Sequence, residues 1–352
     1  MTRLADGAAV FEAASDAFER ARAAAGEQLH EVRRVVAGVP VTLRVAGRDL
    51  FETFELPLSH LAATEPPARA SHPLRIDLWD QAATGIRAPL PPLPDGLGPY
   101  GLACASEDGR YVADIRAQSG AVLDRAAGRI VGSALAADRL YLDERARPLH
   151  RLLSVWLAGA GIQFVHAGLV ARDERGVLLT GAGGSGKSTT SILCLRHGFQ
   201  FLGDDFVGLE MSAQGGAVGH SLYGTSLVGL DHLRRFPEFE VHAQAPHHAG
   251  EDKSLILLSR LYCDRMVRHA RIRAIVLVRV VDRDRTFSRP ASKSEAMLWL
   301  APSSLMLMTG AGPRAIDVLA RLVERTPCRW LELGRDMESI PDRVADVLIE
   351  AA

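Results

Sequence analysis

Three things are in short supply in this chain of 352 residues, and each shortage removes a class of explanation. Charge of one sign is missing: 41 Lys and Arg stand against 42 Asp and Glu, for a formal net charge of -1. No global polycation argues for a nucleic-acid partner, and the local arginine cluster Arg265–Arg273 reads as a solvated face. Cysteine is sparse and scattered, at Cys104, Cys194, Cys263 and Cys328. That dispersal offers neither a close-spaced zinc pattern nor a disulfide framework, so a reducing, cytoplasmic setting is expected. Long apolar runs are absent, and the N-terminal residues carry acids rather than a signal-type apolar core. A soluble protein with no membrane partner is the expectation. The length suggests about two domains, with a boundary expected between residues 1–145 and 146–352.

The first of these regions reads as a small α+β lobe rich in strands. Residues 7–31, dense in Ala, Glu and Arg, predict a helix, and Val39–Val45 alternates in the manner of a half-buried strand. Further strands are expected at Leu74–Trp79 and Tyr111–Ile115, with proline-rich connections at Glu65–Pro67 and Pro89–Pro94. No chemical constellation stands out in this lobe. From Pro148 the spacing turns helical, and Gly159-Ala160-Gly161 breaks it.

The second region contains the most informative stretch, Gly181-Ala182-Gly183-Gly184-Ser185-Gly186-Lys187-Ser188, which satisfies every fixed position of G-x-x-x-x-G-K-[ST]. An apolar strand, Val177–Thr180, precedes it, and Ser188–Leu195 reads as the start of a helix. Such an order points backbone N–H groups and a positive helix end into one concavity, which suits phosphate. Gly181, Gly183, Gly184, Ser185, Gly186, Lys187, Ser188 and Thr189 are therefore the candidate nucleotide-binding residues. Lys187 suits the β- and γ-phosphates as a mobile charge, and the Ser188 hydroxyl suits Mg²⁺.

Two polar features flank the loop. Upstream, Ile162–Val170 reads as a strand joined to the loop's own strand through a turn at Asp173–Gly176, which makes the pair a hairpin. His166 on it is either a buried structural histidine or a phosphate-facing group. Downstream, Asp204 and Asp205 sit between apolar flanks, where two adjacent acids need a cation or hydrogen bonds. One is suited to metal together with Ser188 and the other to accepting a hydroxyl proton. Tyr223–Ser226 either lines the pocket or forms a turn. His242–Asp252 reads as a mobile loop, and Lys253 and Arg289 are either extra phosphate or acceptor contacts or surface charges. Ala274–Val280 is the best core strand downstream, but Arg279 occupies the place where an ordinary ATPase prefers its acid. Helices expected at Ala315–Glu324 and Asp342–Glu350 complete the chain.

The His166 strand, the Gly181–Ser188 loop and Gly203-Asp204-Asp205 together resemble the catalytic domain of the bacterial HPr serine kinase/phosphorylase family, whose core is similar to ATP-dependent phosphoenolpyruvate carboxykinase. The resemblance spans residues 148–207 clearly and 219–280 more loosely. It implies an α/β fold with a P-loop core on a mixed sheet, and an enzyme that uses ATP and Mg²⁺. It carries phosphate binding to Gly186 and Lys187, metal binding to Ser188 and Asp205, base work to Asp204 or its neighbour, and a place near the transferring phosphate to His166. Thr189 stands where the bifunctional members often carry an acid, which argues against phosphorylase activity. The chain is more similar to the diverged HPr kinase-like proteins found with the biosynthesis of ribosomally made peptides, lasso peptides among them. The implied acceptor is a serine-like hydroxyl of a peptide or protein. A small-molecule hydroxyl, or a nucleotide-binding regulator without transfer, are the alternatives, and a homo-oligomer is compatible with each.

Overall fold

In a computed structural model the described residues are 2–63, 67–90, 93, 97, 101–212, 216–306 and 313–351. Parts of both proline-rich connections lie outside them. The chain is an α/β protein with mixed sheets, and it divides into two compact units. One comprises residues 1–160 and 245–253, the other 161–244 and 254–352.

Among the described residues, the first unit is built on a mixed sheet of eight strands, led in chain order by Thr2–Arg3 and Leu29–Val36. Helix Gly7–Ala25 lies on it, capped by the Asp6 carboxylate, which accepts the Ala9 N–H at 3.1 Å. Phe11, Ala14, Ala17, Phe18 and Ala21 recur at helical spacing and bury one stripe against Trp79, Ala113, Val122 and Val131. The helix is shorter than its composition predicts, because Gly26 takes φ 53° and turns the chain into strand Leu29–Val36. The fully buried Asp77 on strand Leu74–Asp80 is held by Arg44 and Arg129 at 2.6 Å each, so its charge is paired.

In the second unit, nine strands among the described residues make the sheet. Arg175–Thr180 and Cys328–Leu333 both run parallel to the long central strand His269–Val280, while Gly168–Arg172 and Ala217–Ser221 run antiparallel to their neighbours. Central strands alternate between two buried faces. Val177, Leu179, Ala274, Val276 and Val278 face a core shared with helices Lys187–Arg196 and Ile340–Glu350, and Leu178, Ile275 and Leu277 face helices Lys293–Met306 and Pro313–Arg325. Double-sided burial explains why these strands read as unbroken apolar runs.

The expected hairpin is present, with Gly168 opposite Leu179 and Arg172 opposite Arg175. Its turn is only Asp173 and Glu174, at φ 52° and 60°, so Arg175 and Gly176 already belong to the strand. The single strand expected over Ile162–Val170 is instead two. Gln163–His166 pairs with Phe206–Met211, and Gly168–Arg172 pairs with Arg175–Thr180 and Gln200–Gly203. A hydrophobic run carries no mark of where a strand changes partners. Gly168, at the break, packs so closely that a Cβ there would lie 2.8 Å from the Ser191 hydroxyl.

Candidate functional site

Strand register brings the site's residues to one edge of the second sheet. Leu179 lies opposite Gly168, and Leu169 lies opposite Gly203. The chain therefore leaves Thr180 for the glycine loop on the same side where it leaves Gly203 for Asp204. Phe206 lies opposite His166, which delivers Asp205, one residue earlier, to the end of the histidine strand.

The loop turns directly into helix Lys187–Arg196. Gly184 and Gly186 take φ 75° and 98°, conformations that disfavour any residue with a Cβ. Ala182, Gly183 and Gly184 are exposed, while Ser185 and Lys187 are buried. Lys187 folds back over the loop, its Nζ donating to the carbonyls of Gly181 at 2.7 Å and Ala182 at 3.2 Å. The ammonium is thereby held at the loop itself. Thr180 Oγ1 donates to the Trp299 carbonyl at 3.0 Å and anchors the start of the turn. Thr189 and Ser188, half-buried, lie in the first turn of the helix.

The two aspartates have different surroundings. Asp204 is only 3% exposed and accepts the Ser226 hydroxyl on Oδ2 at 2.5 Å, while Oδ1 has no hydrogen-bond partner. Burial raises its carboxyl above the usual range; the Ser226 hydroxyl opposes this, the neighbouring Asp205 charge adds to it, and the Ser188 hydroxyl and Lys187 oppose it. Asp205 is more accessible, and its Oδ1 lies 2.6 Å from His166 Nε2. With the carboxylate ionised, Nε2 carries the proton of that bond. The other ring nitrogen, Nδ1, is buried without a hydrogen-bond partner. The His166 backbone is fixed in turn, its N–H donating to Ser304 Oγ at 3.1 Å.

Lys187, Ser188, Asp204, Asp205 and His166 therefore converge. Arg289 does not join them. Lys253 is exposed at the start of strand Lys253–Leu257 and groups with the first unit. Arg289 donates to Glu332 at 3.0 Å and lies over the Trp330 ring. Arg279 also pairs with Glu332. The histidine loop is largely exposed and makes contacts through His248, which stacks on Tyr141 at 3.8 Å, and Glu251, which accepts the Leu142 N–H at 2.6 Å. Ser226 is the residue that sequence pattern alone does not single out from its neighbours, since a hydroxyl in the strand Thr225–Gly229 carries no signature of its partner. Among the described residues no three His, Cys, Asp or Glu side chains gather as a metal cage, and no helix is long and apolar enough to cross a membrane.

No family model matches this chain, and no curated protein matches it. Among solved structures, the Hpr(Ser) kinase/phosphatase from Coxiella burnetii is similar over 53% of this chain and 97% of its own, at 16% identity and a TM-score of 0.30. The likeness is weak and distant.

Proposed function

We propose that this edge of the sheet is a P-loop phosphotransfer site, which takes ATP with Mg²⁺ and moves the γ-phosphate to a hydroxyl. One observation carries the reading: a buried carboxylate with an unpartnered oxygen, Asp204, stands beside Ser188 and Lys187 where a glycine loop enters a helix. A buried acid is costly without a cation or full hydrogen bonding. A hydroxyl and a carboxylate oxygen form the hard donor set that Mg²⁺ prefers, and the ion usually takes only one or two carboxylates beside phosphate oxygens. Ser188 and Asp204 would hold it. This pairing exchanges the roles drawn from the sequence resemblance, which gave the metal to Asp205, because Ser188 neighbours Asp204 and His166 neighbours Asp205.

The residues divide the work. Backbone N–H groups of the loop and the helix N-terminus bind phosphate oxygens, and Lys187 exchanges its carbonyl partners for them. Mg²⁺, when bound, neutralises phosphate charge. Asp205, oriented by His166, accepts the proton of the acceptor hydroxyl. The acceptor oxygen bonds to the γ-phosphorus as the bond to the β–γ bridging oxygen breaks, and ADP leaves with that electron pair. The acceptor is a serine-like hydroxyl of a peptide or protein, a choice that rests on the sequence resemblance alone.

The test is incubation with ATP, Mg²⁺ and candidate acceptors, read by mass. Transfer adds roughly 80 daltons to the acceptor, and D204N or D205N lowers the rate by about 100-fold or more. Modification of a small molecule in place of peptides relocates the acceptor class. Tight nucleotide binding with no acceptor modified, and both variants behaving as wild type, would leave a regulator rather than a kinase.

A further inference from the structure

Ser226 is 2% exposed and projects from strand Thr225–Gly229. Strand alternation puts it on the same face as Val228, which packs into the core with Ile192 and Leu193 of the loop's helix. That packing seats the strand against the helix and brings the Ser226 hydroxyl to Asp204 Oδ2. The strand's approach is held by the Ser259 N–H, which donates to the Gly224 carbonyl at 2.9 Å. A carboxylate alone can rotate about χ2 and offer either oxygen. Here one oxygen is occupied by a buried donor, and the other is unpartnered.

We propose that Ser226 is a positioning residue that locks the Asp204 carboxylate, so that a single oxygen, Oδ1, is presented to the cation of the bound nucleotide. The inference rests on the reading of the glycine loop as a metal–nucleotide site. Ser226 touches neither nucleotide nor cation, and its contribution passes through Asp204. Removing its hydroxyl leaves a buried carboxylate oxygen without a donor and frees the rotation, so it weakens metal-dependent binding and spares the loop's own grip on phosphate.

Equilibrium binding of ATP, measured calorimetrically with Mg²⁺ and again with EDTA, separates these effects. Ser226→Ala is expected to weaken binding roughly tenfold in Mg²⁺ and to match wild type in EDTA. Ser226→Cys, near-isosteric with a weak donor, falls between the two. In a D204N background the Ser226→Ala change adds nothing, because the group it positions is no longer a carboxylate. Equal weakening with and without Mg²⁺, or full additivity with D204N, overturns the proposal. So does magnesium-dependent binding by Ser226→Ala equal to that of wild type, and in that case the nucleotide-site reading survives. Wild-type protein that binds no ATP overturns both.

Discussion

Asp204 shows how one side chain can trade stability for a task. Its carboxyl is buried, and burial raises its pKa in the folded chain above the value an exposed aspartate has in the unfolded one. The folded state therefore holds the proton more tightly. Stability from this group is present at low pH and is lost as pH rises from about 3.9, the unfolded value, through the raised folded value. At neutral pH without a cation, the buried carboxyl opposes folding. Asp204→Asn keeps the shape and removes the charge, so the metal-free protein is expected to melt a few degrees higher at about pH 7. In EDTA, the gap between variant and wild type should narrow as the pH falls toward about 4. An Asn variant that melts below wild type at neutral pH would contradict the assignment of Asp204 as a carboxyl that its burial makes costly. The same substitution lowers the rate of transfer about 100-fold or more under the proposed function, so stability and activity should move in opposite directions.

At the scale of elements, the hairpin that enters the loop carries strain in its turn. Asp173 and Glu174 both adopt the left-handed region, at φ 52° and 60°, which is the type I′ pattern that Asn-Gly fills at least cost. Glu174→Gly is expected to stabilise the protein by ~0.5–1 kcal/mol, the relief of left-handed strain exceeding the added freedom of the unfolded chain. Urea unfolding measures it, and a loss of stability would show that the Glu174 side chain holds the turn in some other way. This hairpin was legible in the sequence because turn residues and apolar runs are local signals. So was the turn from Thr180 through the glycine loop into a helix, where contiguous residue types answer to one backbone path. What was not legible is long-range. Nothing in Ile162–Val170 marks the handover at Ala167 from one strand partner to another, and that handover decides that His166 meets Asp205. Ser226 lies 22 residues from Asp204, and only the fold brings them together. Residue types therefore pointed to most of the groups that gather at this end of the sheet, whereas their pairing depended on register.

The whole molecule consists of two units, each with its own sheet, and the unit without the glycine loop has electrostatics of its own. His150 opens helix His150–Gly159 and is buried beside the guanidinium groups of Arg116, Arg147 and Arg151. Burial first, and then these three charges, hold its imidazole well below the ordinary value of 6.5. The ring stays neutral in the folded unit, with Nδ1 3.2 Å from the Arg147 carbonyl. The unfolded chain takes up a proton below about 6.5 and the folded chain does not. Stability from the neutral ring is therefore fully present above that pH and falls as pH drops toward the depressed folded value, by up to about 1.4 kcal/mol per pH unit. Glu144, whose carboxyl is raised by burial, works in the opposite sense as pH rises above its ordinary value, and it does so whether or not His150 is present. The informative quantity is thus the difference between two proteins. His150→Asn keeps an N–H for the Arg147 carbonyl and cannot be protonated, so its unfolding midpoint in urea should change less than that of wild type between about pH 7 and pH 5. Parallel curves across that range would mean that His150 is protonated in the folded unit, in spite of its burial and its three arginine neighbours.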